Sequence, residues 1–229
     1  DSTTLEAHIN YPNDVGVLHQ AVKTLTRTAA SLGKKITSHV RATKRALFAW
    51  SQTARAKPKE RKEAGRKILK AAAKLAKHTV EQSRKALQAL ARSRSEKSVK
   101  GREKFTQQIE LAERVLSQTD EKLQGKKSIP ERIVSFHDAC ARAICKGKLN
   151  RPVEFGRTLQ LVQDSSGVIV HYEVHGGNPN DKTQLLSLVR QTKKRLGVKP
   201  KELATDRGYY SAENVRKLKK TGIQRVGIP

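Results

Sequence analysis

The sequence predicts an α/β fold interrupted by a long, basic, all-helical insertion. Three observations carry this. Apolar residues recur at steps of three and four from Val15 to Leu123, which is a helical period. From Phe155 to Val174 they alternate, which is a strand period. Leu203, Ala204 and Thr205 then form a short strand ending on Asp206, with Gly208 expected to supply a sharp turn.

In chain order, Ser2, Thr3 and Thr4 suit an extended start, and Tyr11-Pro-Asn-Asp14 is a turn in which Asn13 or Asp14 caps the next helix. Leu18, Val22, Leu25, Ala29 and Leu32 mark that helix, with Gly33 as its stop. Ile36, Val40, Thr43, Leu47, Trp50 and Ala54 mark a second. Pro58 fits the first turn of a third, which runs through Leu69, Ala76, Val80 and Leu87. Ser95 to Gly101 reads as a break. A fourth helix carries Phe105, Ile109, Ala112, Leu116, Thr119 and Leu123 and stops near Gly125. Narrow apolar seams beneath broad Lys/Arg faces predict a bundle or coiled coil.

Ser128-Ile-Pro-Glu131 has the form of a capping box. Leu159 and Leu161, a turn at Asp164-Ser-Ser-Gly167, and Val168, Val170, Tyr172 and Val174 predict a hairpin. Asp181 with Gln184 reads as a second capping box. It opens a helix through Leu185, Leu188, Val189 and Leu196, stopped by Gly197. After Asp206, Ser211 caps a helix with Val215 and Leu218, and Val226-Gly-Ile-Pro229 reads as a last strand. The segments are therefore 1–14, first strand and turn; 15–127, helical insertion; 128–154, connection; and 155–229, the remaining α/β core.

Charge narrows the function. Net charge is +27, a field that attracts polyanions, most simply a phosphate backbone. Residues 21–150 hold 33 Lys and Arg against 11 Asp and Glu, so the excess sits in the middle of the chain. No apolar run approaches a bilayer-spanning length. Cys140 and Cys145 make no disulfide framework, and with His137 they lack the spacing of a zinc site. His8, His171 and His175 are expected in hydrogen-bonded structural roles. Four Tyr, four Phe and one Trp give no stacking platform for single strands. The absence of Met implies a fragment or a processed chain.

With the helical middle removed, the frame reads strand, hairpin, helix, strand, helix, strand, the order of the ribonuclease-H-like fold with its mixed sheet. Asp1-Ser-Thr, Tyr11-Pro-Asn-Asp14, Lys146-Gly-Lys148, Glu154-Phe-Gly156, Gly177-Asn-Pro-Asn-Asp181, Ala204-Thr-Asp-Arg-Gly-Tyr209 and Val226-Gly-Ile-Pro229 together resemble the DDE-type insertion-sequence transposases of bacteria. The resemblance covers nearly the whole chain. It implies a DNA nuclease and strand-transfer core whose first two acids are Asp1 and Asp206, holding Mg²⁺ or Mn²⁺. It places the third acid, a Glu, on a helix after Val226-Gly-Ile-Pro229. The fragment is therefore expected to be inactive alone, Glu213 being on the wrong helix to substitute. Carboxylates suit the chemistry because hard divalent cations prefer oxygen ligands and stabilise both attacking and leaving oxygens.

Arg207, Lys146, Lys148 and Arg151 are the candidate phosphate contacts. The expected partner is double-stranded DNA at transposon ends and target, with a homodimer possible and no membrane. The expected location is the bacterial cytoplasm, at the nucleoid. The rival reading is a non-catalytic, architectural DNA-binding protein that relies on its charge. An RNA-associated helical protein is a third.

Overall fold

The computed structural model describes residues 1–90, 96–145 and 152–228. It is a mixed α/β structure whose residues divide into two compact units: 9–139, and 1–8 with 140–229.

The first of these is helical. Helix α1 (Asp14–Ser31) is followed by α2 (Val40–Gln52), α3 (Pro58–Gln88) and α4 (Glu96–Leu123). Helix α1 packs against all three others. Its seam of Val15, Leu18, Val22 and Leu25 is fully buried, and meets Leu69, Ala72 and Ala76 of α3 and Phe105, Ile109 and Val115 of α4. The small residues on α3 let helix backbones approach. Gly65 lies so close to Trp50 that a Cβ there would sit 3.2 Å from the indole ring. Local chemistry fixes the ends. The Asn13 side chain accepts from Gly16 N at 2.7 Å, so Asn13 and not Asp14 is the cap. Pro58 occupies the first turn of α3, and Gly33 takes a left-handed φ of 72° after α1.

Asp14 is free for another task. It is buried and accepts hydrogen bonds from Lys122 of α4 and Arg132 of the following segment. Burial alone would raise its pKa, but the two cations outweigh this and hold its carboxyl below the usual range.

Three helical expectations change. Ile36 precedes α2, whose first residue is Val40. Ser95–Gly101 is not a break, since α4 already runs from Glu96; residues 91–95 lie outside the described residues. Ser128–Glu131 opens no helix: it forms a turn, in which Glu131 takes a left-handed φ of 51°.

In the second unit, β1 (Ser2–Glu6), β2 (Arg142–Cys145), β3 (Val153–Gln163) and β4 (Ile169–His175) form one antiparallel sheet. Strand β1 lines one edge of β3, while β2 and β4 follow one another along the other. Glu6 and Arg142 therefore flank the same residue, Gly156. A Cβ at Gly156 would lie 2.1 Å from the Leu5 carbonyl oxygen, which excludes any side chain there. Next come α5 (Asp181–Leu196), β5 (Glu202–Ala204), α6 (Ala212–Lys220) and β6 (Arg225–Gly227). Strands β5 and β6 pair in parallel as a separate two-stranded sheet. The single mixed sheet expected from the order of elements is thus two sheets. With only three residues each, β5 and β6 offer few ladder bonds, and those described link them to each other.

Two further details depart from expectation. The cap of α5 is Asn180, whose side chain accepts from Lys182 N at 3.0 Å, while the Gln184 amide bonds Thr183. On β3 the buried face is polar: Gly156, Thr158 and Gln160 are buried, whereas the alternating apolar set lies on the other face. There Tyr172 and Val174 are 57% and 45% exposed. Among the described residues no helix is long and apolar enough to cross a membrane.

Candidate active site

Asp1 extends the β1 ladder by one residue, its carbonyl accepting from Leu161 N at 2.8 Å. Its side chain is exposed. Asp206 follows β5 and opens a single 3₁₀ turn, Arg207–Tyr209. It too is exposed, and its carboxylate caps nothing. Its carbonyl accepts from Tyr209 N at 3.1 Å, which closes the turn. Gly208 sits inside that turn without a positive φ. The reason for glycine is proximity: a Cβ would lie 3.2 Å from Asp181 Oδ2.

Asp181 joins these pieces. Ser2 Oγ donates to Asp181 Oδ2 at 3.0 Å, and Gln160 Nε2 donates to Asp181 Oδ1 at 3.2 Å. Gln160 is itself fully buried and its Oε1 faces His175 Nε2 at 3.0 Å. The Asn214 side chain donates to the carbonyls of Lys182 at 2.8 Å and Tyr209 at 3.0 Å, tying α6 to the start of α5 and to the 3₁₀ turn. Ser2, next to Asp1, and Gly208, two residues after Asp206, therefore both lie against one carboxylate. They do so although β1 and β5 belong to different sheets.

Tyr209 is buried, and its hydroxyl makes no hydrogen bond of good geometry. Burial pushes its phenol well above the ordinary range. The charges of Asp181 and Asp206 push the same way, and the neighbouring Ser2 and Gln160 oppose them. The phenol therefore stays neutral, within electrostatic reach of both Asp181 and Asp206.

The other candidates fall elsewhere. Arg207 is exposed, and its side chain makes no hydrogen bond or ion pair among the described residues. Lys146, Lys148 and Arg151 lie outside the described residues. Glu213 pairs with Lys217 at 2.6 Å on the surface of α6, and that bond lowers its pKa. His171 approaches Glu173 at 3.3 Å. Cys140 and Cys145 are exposed and share no disulfide. Among the described residues no three His, Cys, Asp or Glu side chains group closely enough to hold a metal ion. Asp1, Asp181 and Asp206 carry the oxygen donors that hard cations prefer, but they form no such group.

Sequence reasoning missed the hub. Asp181 was legible as a cap and as the end of the motif Gly177-Asn-Pro-Asn-Asp181, not as a hub, and Gln160 was not singled out.

Residues 132–229, less than half of the chain, match the family model described as Transposase DDE domain. That segment contains Asp206 and Asp181 but not Asp1. No curated protein and no solved structure matches the chain.

Proposed function

We propose, from the match of residues 132–229 to the Transposase DDE domain model, that this chain is the core of an insertion-sequence transposase that cuts and joins DNA. Its second unit is then a ribonuclease-H-like core, and the helical unit an insertion into it. Asp1 and Asp206 are its first two acids. The observation that carries this is the meeting of Ser2 and Gly208 on Asp181. Ser2 adjoins Asp1 and Gly208 lies two residues after Asp206, so their shared contact supports a site to which both acids contribute.

Asp1 and Asp206 would hold Mg²⁺ or Mn²⁺, the cations their hard oxygen donors suit. Bound there, the metal supplies charge stabilisation for an attacking hydroxyl and for the leaving oxygen of a phosphodiester. The chain's own residues do the rest. Asp181 orients both acid-bearing segments. Arg207, exposed beside Asp206, receives a phosphate. Tyr209 remains protonated under the site, so it adds no negative charge against the DNA. The partner is duplex DNA, which matches the charge of +27. The protein then works at the nucleoid.

Two measurements test this. Mn²⁺ titration of the chain, read by electron paramagnetic resonance, should weaken at least tenfold in Asp206→Asn with the fold intact by circular dichroism. In a longer chain that also carries the third acid, Mg²⁺-dependent nicking of transposon-end DNA should disappear on Asp206→Asn while DNA binding persists. Unchanged Mn²⁺ affinity would remove Asp206 from the site. Binding without any nicking would favour the architectural reading, to which the charge of residues 21–150 already lends support.

A further inference from the structure

Between Asp14 and Glu60 the chain carries ten Lys and Arg and no acid at all. This is the part of the excess charge that nothing in the sequence neutralises. It builds α2. On α3 and α4 the situation differs: Lys70, Lys74 and Lys77 share a groove with Glu113, Asp120 and Glu121.

Helix α2 has two faces. Thr43 is buried, and Val40, Ala46, Leu47 and Trp50 pack against the helical core. The opposite face presents Arg41, Lys44, Arg45 and Phe48, all exposed. These positions follow i, i+3, i+4, i+7, so they form one patch. Phe48 is 68% exposed at its C-terminal end, a large ring left in water on a helix otherwise ordered by burial. Among the described residues none of the three cations makes an ion pair or hydrogen bond. Lys44 and Lys23 of α1 lie near enough to His19 to help burial lower its pKa, so His19 stays neutral and adds no charge of its own. It bonds Thr43 at 2.9 Å instead and fastens α2 to α1.

We infer that the outer face of α2 is a docking surface for duplex DNA, with Arg41, Lys44 and Arg45 on phosphates and Phe48 against base edges in a groove. Thirteen residues make a rod about 20 Å long and about 10 Å across, which a major groove admits. Three unpaired cations supply affinity, and one apolar ring supplies a contact that water disfavours and a thymine methyl or an opened base step satisfies. A membrane fits less well. Insertion needs a broad apolar face, and the apolar face of α2 is already committed to the helical core. The inference does not depend on Asp1 or Asp206.

The test is the salt dependence of binding to a labelled 30-base-pair duplex, read by fluorescence anisotropy on the full chain. Arg41→Gln, Lys44→Gln and Arg45→Gln together should reduce the log–log salt slope by about 2–3, since each lost phosphate contact removes about 0.9. Removing the same number of charges from α3, as Lys70→Gln, Lys74→Gln and Lys77→Gln, should change it by less than one, because acids face those lysines. Phe48→Ala should weaken binding about tenfold, equivalent to ~1.4 kcal/mol, and leave the slope unchanged. Equal slope changes in both triple variants would overturn the inference, because only bulk charge would matter. So would an unaltered affinity in Phe48→Ala. Tighter binding to vesicles of anionic lipid than to the duplex, lost in Phe48→Ala, would reassign the face to a membrane, and tighter binding to structured RNA would reassign it to RNA.

Discussion

Replacing Asp14 by Asn should destabilise the helical unit by about 2–3 kcal/mol at pH 7. The Asp14 side chain is 4% exposed, while Lys122 and Arg132 retain 39% and 37% of their exposure. Removing one member of a fully buried ion pair costs about 3–5 kcal/mol. Here water re-solvates the two abandoned cations in part, which brings the figure to about 2 kcal/mol. Asp14 also sits in the first turn of α1, where a negative charge gains about 0.5 kcal/mol from the helix dipole. Trp50 is the single tryptophan and belongs to this unit, so its emission reports urea unfolding of the unit directly. With a denaturant slope of about 2 kcal/mol/M, the midpoint should fall by roughly 1 M. The pH dependence has a fixed sign. A carboxyl whose folded pKa is lowered contributes stability above its unfolded value, and that contribution disappears as pH falls through the folded value. The two proteins should therefore converge as pH drops below about 4. A midpoint shift under about 0.3 M at pH 7, or a gap that persists at low pH, would refute the assignment of Asp14 as the charged centre of the unit.

Gly156→Ala should detach β1, because the methyl meets backbone that cannot step aside; faster amide exchange at Ala7, which bonds Phe155 O at 2.8 Å, is the readout. Asp181→Ala leaves Ser2 Oγ and Gln160 Nε2 without their acceptor, at a cost of about 1–3 kcal/mol. The same variant should lower the Tyr209 pKa, since a nearby negative charge is gone, and ultraviolet titration of the tyrosines detects it. Gly65→Ala sets a helix-propensity gain of about 1 kcal/mol against displacement of the Trp50 ring. The expected result is a net change under about 1 kcal/mol with a shifted Trp50 emission maximum.

What was legible in the sequence was local. Asn13, Pro58, Gly33, Gly197 and Ser211 mark helix ends by chemistry confined to a few neighbouring residues, and the structure uses each as its type suggests. Strand β2 was not legible, because Arg142-Ala-Ile-Cys145 is too short to display a period. The polar buried face of β3 inverted the usual rule. Thr158 and Gln160 are inside because Asn178 and Asp181 satisfy their hydrogen-bonding groups there, at 3.1 and 3.2 Å. The hub was invisible for a related reason. Ser2 and Asp181 are 179 positions apart, and no spacing rule reaches that far. Gly208 illustrates the same limit, as its small size answers a carboxylate brought from another helix, not a turn of its own.

The pairing of both Glu6 and Arg142 with Gly156 constrains how the chain can be made. Two strand spacings, about 10 Å, separate the points where the polypeptide departs on its helical excursion and returns from it. A floppy excursion of roughly 130 residues would tax that closure by about 4 kcal/mol of chain entropy, whereas a prefolded one has already met it. On the ribosome, β1 emerges well before β3, the strand whose edge it joins. Of the four strands in this sheet, β1 therefore waits longest for its partner.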